Sequence, residues 1–387
     1  MRSNDCICPK VAIITGNWDI NNLSIRLTAQ KLVLIFLKIS KNVTVISANH
    51  DINIDNLNLT HKKISCETDS RHFVIRGFNH IIYQIKIVQT IFKLVKNQYT
   101  VFIFCFGADL FILPLLTLFI LKKKILIRTD SRPSTSLQYF CQPSWKIFLF
   151  ETVEKINYSI SDIIIPESKY MVKFYHLERY SNKIFIGPLF VEDYFFKHNI
   201  PNIDHRPFDI GYFGRFSEEK GFAELIESLR IISKSHGHIS ALFIGDGPMR
   251  KLLMDIQNDN NLDISVIPWC EKEDIPSYFA KIKLFILPSY KEGLPNSVLE
   301  SMACGTPVLA TPVGGILDVV IDNQTGFIIP NNSPSEIANI IQKALNNSDL
   351  NRISFAAREK VMEEYNNNSV LNNYTDILSY VSTSSKS

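Results

Sequence analysis

Short runs rich in Ile, Val and Phe alternate with helix-length stretches from one end of this chain to the other. That alternation limits the fold more than any other feature. Val11–Thr15, Val43–Ser47, Val101–Cys105, Ile125–Arg128, Ile163–Pro166 and Ile184–Ile186 read as strands in the first half. Ile210–Phe213, Ala241–Ile244, Ile264–Ile267, Leu284–Leu287 and Pro307–Ala310 do so in the second. Helical patterns lie between them, among others at Leu27–Ile39, Tyr83–Val95, Gly221–Ser235, Ser297–Cys304 and Ser335–Leu345. Parallel strands need a crossover about as long as a helix, so this order predicts parallel sheets covered by helices. The fold class is α/β, with two doubly wound domains facing each other across a cleft that the carboxyl ends of the strands line. The chain's 387 residues suit two such domains. The polar stretch Lys197–Pro207 predicts the boundary. The expected domains are then 1–205, 206–365 and a segment 366–387, whose helix Val370–Val381 packs back on the first domain before a frayed tail.

Charge is uneven. Residues 1–205 carry 25 Lys+Arg against 16 Asp+Glu, and residues 206–387 carry 16 against 22. A basic first half suits an anionic membrane surface or a phosphate-bearing acceptor as well as scattered solvated lysines. No basic motif with interleaved aromatics points to nucleic acid. Val101–Leu121 has the length of a membrane span, but Gly107, Asp109 and Pro114 interrupt it. A strand at Val101–Cys105 and a buried helix at Leu110–Leu121 fit it better. The seven cysteines are scattered, and Cys6 and Cys8 form a C-x-C with no second pair at metal-ligand spacing. Free thiols and a start without a signal-like apolar run predict a cytoplasmic protein, peripheral at most to the inner face of the plasma membrane.

Two motifs carry chemistry. Glu292-Gly-Leu-Pro-Asn-Ser-Val-Leu-Glu300 places two carboxylates eight positions apart around a loop and a helix start, with Asn296 or Ser297 as the cap. The first N–H groups of that helix make an anion site between the acids. Phe213-Gly-Arg-Phe-Ser-Glu-Glu-Lys-Gly221 sets two cations around a turn: Gly214 admits a ligand to the backbone, and Arg215 and Lys220 can clamp two phosphates. Glu300 suits ribose hydroxyls, and Glu292 suits sugar hydroxyls or a developing positive charge at a sugar C1. Gly293 and Leu294 offer backbone N–H groups. A solvated loop with two cations, or two acids placed by the helix dipole, is the plainer reading of each motif alone. Gly245-Asp-Gly-Pro248 reads as a tight turn near the same place, and Val313-Gly314-Gly315 as a loop or a further backbone approach. Asp130 or Arg132 is a candidate for acceptor contact.

Taken together, these runs and Ala303-Cys-Gly-Thr-Pro-Val-Leu-Ala-Thr-Pro-Val-Gly-Gly315 closely resemble the retaining GT-B glycosyltransferases of family 4, glycosyl transferases group 1, over roughly residues 208–330. The resemblance implies two Rossmann-like domains and a hexosyltransferase using a nucleotide sugar, UDP- or GDP-linked, with a glycan or lipid-linked acceptor in polysaccharide or cell-envelope synthesis. It implies that Arg215 and Lys220 hold the donor diphosphate, Glu300 the ribose and Glu292 the donor sugar. Front-side attack then retains the anomeric configuration. Gly16 would line the substrate site from the loop Thr15-Gly16-Asn17-Trp18, which has one glycine where the family often has two. No histidine follows Cys105, and Gly187-Pro-Leu-Phe-Val191 stands where an Asn-Gly-Val-Asp is usual. No Asp-x-Asp triplet occurs, so no metal and no other cofactor is expected. A nucleotide-sugar epimerase on the same fold and a non-catalytic nucleotide-sugar-binding partner are the alternatives.

Overall fold

The computed structural model describes residues 9–16, 23–48, 51–66, 73–130, 132–139, 141–197, 201–235, 237–257, 259–268 and 270–383. Cys6, Cys8, Asn17, Trp18 and the last four residues lie outside them. The chain divides into two compact units: residues 1–167, 172–189 and 370–387, and residues 168–171 and 190–369.

The first unit is built from β1 (Lys10–Thr15), α1 (Leu23–Ile39), β2 (Asn42–Ser47), β3 (Leu59–Lys63), α2 (Phe73–Lys96), β4 (Val101–Cys105), α3 (Ile112–Ile120), β5 (Lys124–Thr129), α4 (Pro133–Tyr139), α5 (Ser144–Ile160) and β6 (Ile163–Pro166). After α6 (Lys169–Phe174) and α7 (Asp193–Lys197), the second unit runs through β7 (Phe208–Phe213), α8 (Phe222–Ser235), β8 (Ile239–Ile244), α9 (Arg250–Met254), β9 (Leu262–Ile267) and α10 (Ile275–Phe279). It continues with β10 (Ile282–Leu287), α11 (Asn296–Ala303), β11 (Val308–Ala310), α12 (Ile316–Val319), β12 (Gly326–Ile328), α13 (Pro334–Leu345) and α14 (Leu350–Glu364). The final helix, α15 (Asn367–Thr383), has its residues from Val370 onward in the first unit.

Both sheets are six-stranded and parallel. The first has the order β3-β2-β1-β4-β5-β6, the second β12-β11-β10-β7-β8-β9. Counted from β7, the second is the first over again. In each, crossovers leave the first strand in one direction and the fourth in the other. That opens a crevice at the carboxyl ends of β1 and β4, and again at those of β7 and β10. The central strands are buried on both faces, so they are continuous apolar runs: every residue of β4 is buried. Helices show the 3.6-residue stripe instead. Phe222, Leu225, Ile226 and Leu229 form the buried side of α8. Ser333 caps α13 by accepting the Glu336 N–H at 3.4 Å, with Pro334 in the first turn.

Several expectations change. Ile184–Ile186 is not a strand: Ile184 makes a single bridge to Ile164, and Gly187-Pro188 then carries the chain off the sheet. The edge strands β3 and β12 were missed. Leu-Thr-His-Lys-Lys has no apolar alternation because an edge needs charge more than burial, and Gly-Phe-Ile is too short to register. The units divide between Leu189 and Phe190, not at 205. The polar residues near 205 are instead fastened to the second sheet through Arg206. Its buried guanidinium donates to the Ile282 and Gly305 carbonyls at 2.9 and 2.8 Å and to Thr306 Oγ1 at 2.8 Å.

α15 is held by a buried polar group. Tyr374 Oη donates to the Gly187 carbonyl at 2.8 Å and accepts from Arg128 Nε at 3.2 Å. Its ring meets Phe36 of α1 edge-on, with centroids 5.3 Å apart. Val101–Leu121 forms β4, a short turn and α3. Among the described residues no helix is long and apolar enough to cross a membrane. The five described cysteines are all free thiols.

Candidate functional site

Four loops of the second unit leave the carboxyl ends of their strands beside one another. After β7 comes Gly214–Gly221, after β8 Gly245–Pro248, after β10 Pro288–Pro295, and after β11 Thr311–Gly315. Backbone hydrogen bonds tie them together: Phe216 N–H to the Asp246 carbonyl at 3.0 Å, Tyr290 N–H to Glu219 at 2.9 Å, and Gly315 N–H to Gly293 at 2.7 Å. Two glycines make this approach possible. Gly221 sits at φ +65°, and a Cβ there would lie 2.0 Å from the Pro288 carbonyl oxygen. Gly314 sits at φ +56°, with the Glu292 carbonyl oxygen 2.2 Å from where its Cβ would be.

On this scaffold Lys220 and Glu292, 72 positions apart, meet: Lys220 Nζ donates to Glu292 Oε1 at 2.7 Å. The Glu292 side chain is buried and the Lys220 side chain is partly exposed. Burial holds the neighbouring Lys291 ammonium below its ordinary value, against the pull of Glu292. Tyr212 lies under the loop and donates from its hydroxyl to the Arg215 carbonyl at 2.7 Å. Burial raises that phenol well above its usual range, and the Glu292 and Glu219 charges add to the effect.

Arg215 behaves differently. Its side chain is exposed, and among the described residues it pairs with Glu219 at 3.7 Å. A surface pair of that length holds the guanidinium weakly. Gly214 follows β7, and its N–H bonds to the Ile244 carbonyl of β8 at 2.9 Å.

α11 starts at Asn296, with Pro295 in the cap position and no side-chain cap. Asn296 and Ser297 are therefore not the cap but the first two helical residues. Pro295 has an extended backbone, φ −69° and ψ 126°, so the helix begins at the residue after it. Glu300 lies one turn in, on the buried side of α11. Gly293 and Leu294 connect the two acids, the first spending its carbonyl on Gly315. Gly16 is in the first unit, where a Cβ would lie 2.4 Å from the Phe106 carbonyl oxygen, so the loops after β1 and β4 meet there. Asp130 accepts from the Phe106 N–H at 3.3 Å and pairs with Arg128. Arg132 is committed to Glu154 at 2.6 Å and to the Tyr175 carbonyl at 2.8 Å.

One residue escaped sequence reading. The Tyr194 hydroxyl is buried and has no hydrogen-bond partner among the described residues. Burial raises its pKa, and the charges of Glu192, Glu300 and Glu273 raise it further. A tyrosine in a short helix far upstream of the motifs carries no signal of that placement.

The family model described as glycosyl transferases group 1 matches residues 193–360. This segment holds all four loops. Among curated relatives, the capsular polysaccharide biosynthesis glycosyltransferase CapM of Staphylococcus aureus is 30% identical over 169 residues, covering 41% of this chain and 42% of that protein. The amylovoran biosynthesis glycosyltransferase AmsK of Erwinia amylovora is 27% identical over 207 residues, covering 51% of each. The matches thus span about half or less of the relatives' own length.

Solved structures extend the likeness in fold to nearly the whole chain. HepE of Anabaena, crystallised in complex with UDP, superposes with a TM-score of 0.72 at 15% identity, covering 96% of this chain and 100% of that one. Sucrose-phosphate synthase from Thermosynechococcus elongatus gives 0.72 at 19% identity, covering 97% and 100%. The fold is the GT-B one of these structures: two parallel sheets with helices, in two domains.

Proposed function

We propose that this protein is a retaining hexosyltransferase that moves a sugar from a nucleoside diphosphate donor to a glycan or lipid-linked acceptor without a metal ion. The observation that carries this reading is the Lys220–Glu292 pair at the switch point of the second sheet, at 2.7 Å. It sets a cation for a diphosphate and a carboxylate for a sugar side by side. The relatives named for capsular polysaccharide and amylovoran synthesis support the substrate class, and a fold shared with a UDP complex supports a uridine nucleotide.

In the proposed reaction the bond between sugar C1 and the β-phosphate oxygen breaks. The acceptor oxygen bonds to C1 on the same face, and its proton passes to the departing phosphate. Arg215 swings from its weak pair with Glu219 onto the diphosphate, and Lys220 adds its charge. Glu292 stabilises positive charge growing at C1. Glu300 takes the ribose hydroxyls, and the uncapped start of α11 at Asn296 and Ser297 favours the anion. Gly214, Gly293 and Leu294 let the donor approach the backbone. Gly16 lines the acceptor side. The basic first half suits an acceptor displayed at the inner membrane face.

Calorimetric titration with UDP-, GDP- and ADP-sugars tests this. One class should bind, and Lys220→Ala should weaken that binding at least tenfold. Absence of binding by every class would overturn the donor site. Binding without diphosphate release on any acceptor would assign a non-catalytic partner instead.

A further inference from the structure

The layer formed by α2, α3 and α5 covers one face of the first sheet, with α3 packed against both of its neighbours. Its outer surface is apolar. On α2 the residues Phe78, Ile81, Ile85 and Phe92 follow helical spacing and are all exposed, Phe78 at 62%. On α3, Leu116 and Ile120 do the same, Ile120 at 77%. On α5, Trp145, Phe148, Leu149 and Ile156 form a third stripe, with Phe148 at 71%. Each helix therefore has an apolar inner side against the sheet and a second apolar stripe facing solvent. Single exposed apolar residues are ordinary, but three adjacent helices with matching stripes mark an interaction surface.

Charge identifies what it meets. From Phe73 to Lys124 the chain carries Arg76, Lys86, Lys93, Lys96 and Lys122–Lys124, and its one acid is Asp109. Asp109 is buried, so this stretch of the surface presents no carboxylate, and on α5 the partly exposed Glu151 is paired with Lys155 at 3.7 Å. Lysines flank the apolar stripes: Lys86, Lys93 and Lys96 on α2, and Lys122 just past the end of α3. On α5, Lys146 lies over the Trp145 ring at 5.7 Å. Apolar side chains ringed by lysines, with an indole at the border, match the interface of a bilayer that carries anionic headgroups. A protein partner of matching shape would have to be acidic around an apolar centre. The same chemistry is continuous over a lipid surface.

We propose that the α2–α3–α5 face is a membrane-docking surface that seats on anionic phospholipid. It deepens the reading of a membrane-displayed acceptor and rests on that reading only for its purpose. Binding is measured without donor or acceptor, so its failure is separable from failure of the transfer reaction.

The test is co-sedimentation of the full chain with vesicles of phosphatidylcholine alone and of phosphatidylcholine with phosphatidylglycerol. Binding should require phosphatidylglycerol and fall steeply at about 0.5 M salt. The triple variant Phe78→Glu, Ile120→Glu, Phe148→Glu should bind at least about tenfold less, while its circular dichroism and nucleotide-sugar binding stay unchanged. If that variant does not fold, Lys93→Glu, Lys96→Glu, Lys122→Glu replaces it, with the same loss expected. Equal binding of folded variant and parent, or no binding of the parent to anionic vesicles, would overturn the proposal. A parent that ignores vesicles and sediments as a dimer, broken by the triple variant, would assign the face to a second copy of this chain.

Discussion

Glu292 and Lys220 hold each other at 2.7 Å, and the proposed reaction gives each a different part of the donor, so substitutions at the two separate binding from chemistry. Gln in place of Glu292 keeps the shape and the hydrogen bond but removes the charge. Glu292→Gln should leave donor affinity within about threefold and lower kcat by about 10²–10³. A variant with kcat intact would remove Glu292 from the reaction.

In the first unit a buried carboxyl titrates. Burial pushes the Asp109 carboxyl up from 3.8 to about 7, and the Glu154 charge adds to the effect. The folded state therefore holds this proton more tightly than the unfolded chain. The stabilisation is complete below about pH 4 and lost as pH rises through about 7. Asn at this position cannot ionise, so Asp109→Asn should exceed the parent in stability at pH 8, by up to about 4 kcal/mol, and converge on it toward pH 4. Melting curves across pH check this, and a constant offset would mean the carboxyl is already ionised throughout.

At the scale of elements, the loops after β7, β10 and β11 keep their spacing through glycine. Gly221 combines φ +65° with contact to Pro288, whereas Gly237 combines φ +89° with open space. Gly237→Ala should cost only the left-handed backbone, about 1–2 kcal/mol. Gly221→Ala should cost distinctly more and should also reduce nucleotide binding, because the loop after β7 must move away from β10. Gly221→Asn, which tolerates the backbone angle but not the contact, should not rescue it. Urea denaturation of the three variants decides whether crowding or backbone angle matters at Gly221.

At the scale of the molecule, two sheets of identical strand order come from one chain, and the last helix returns to the first unit. Its anchor is Tyr374, whose hydroxyl serves Gly187 and Arg128 together. Tyr374→Phe leaves a buried carbonyl and the Arg128 Nε without that partner and should cost about 1–3 kcal/mol. Calorimetry should show the loss in the unfolding transition of the first unit, with that of the second unmoved. Equal shifts in both would mean that the units unfold together.

The α/β class, ten of the twelve strands among the described residues and the second-unit motifs were legible in the order of the amino acids. Buried parallel strands must be apolar throughout, and glycines and charges at strand ends are rare enough to stand out. It also placed Lys220 and Glu292 in two loops that follow strands. That these two touch follows from packing alone, because β7 and β10 become neighbours through a crossover that residues 72 apart cannot announce. The same holds for the polar edge strand β3, recognisable only by its pairing with β2. The cap at Pro295 is a local matter, yet by residue type Asn296 and Ser297 suit the cap position equally well. The solvent-facing stripes on α2, α3 and α5 were hidden for a different reason. In a sequence, an apolar residue looks the same whether it faces the sheet or the solvent, and the packed helix alone separates the two.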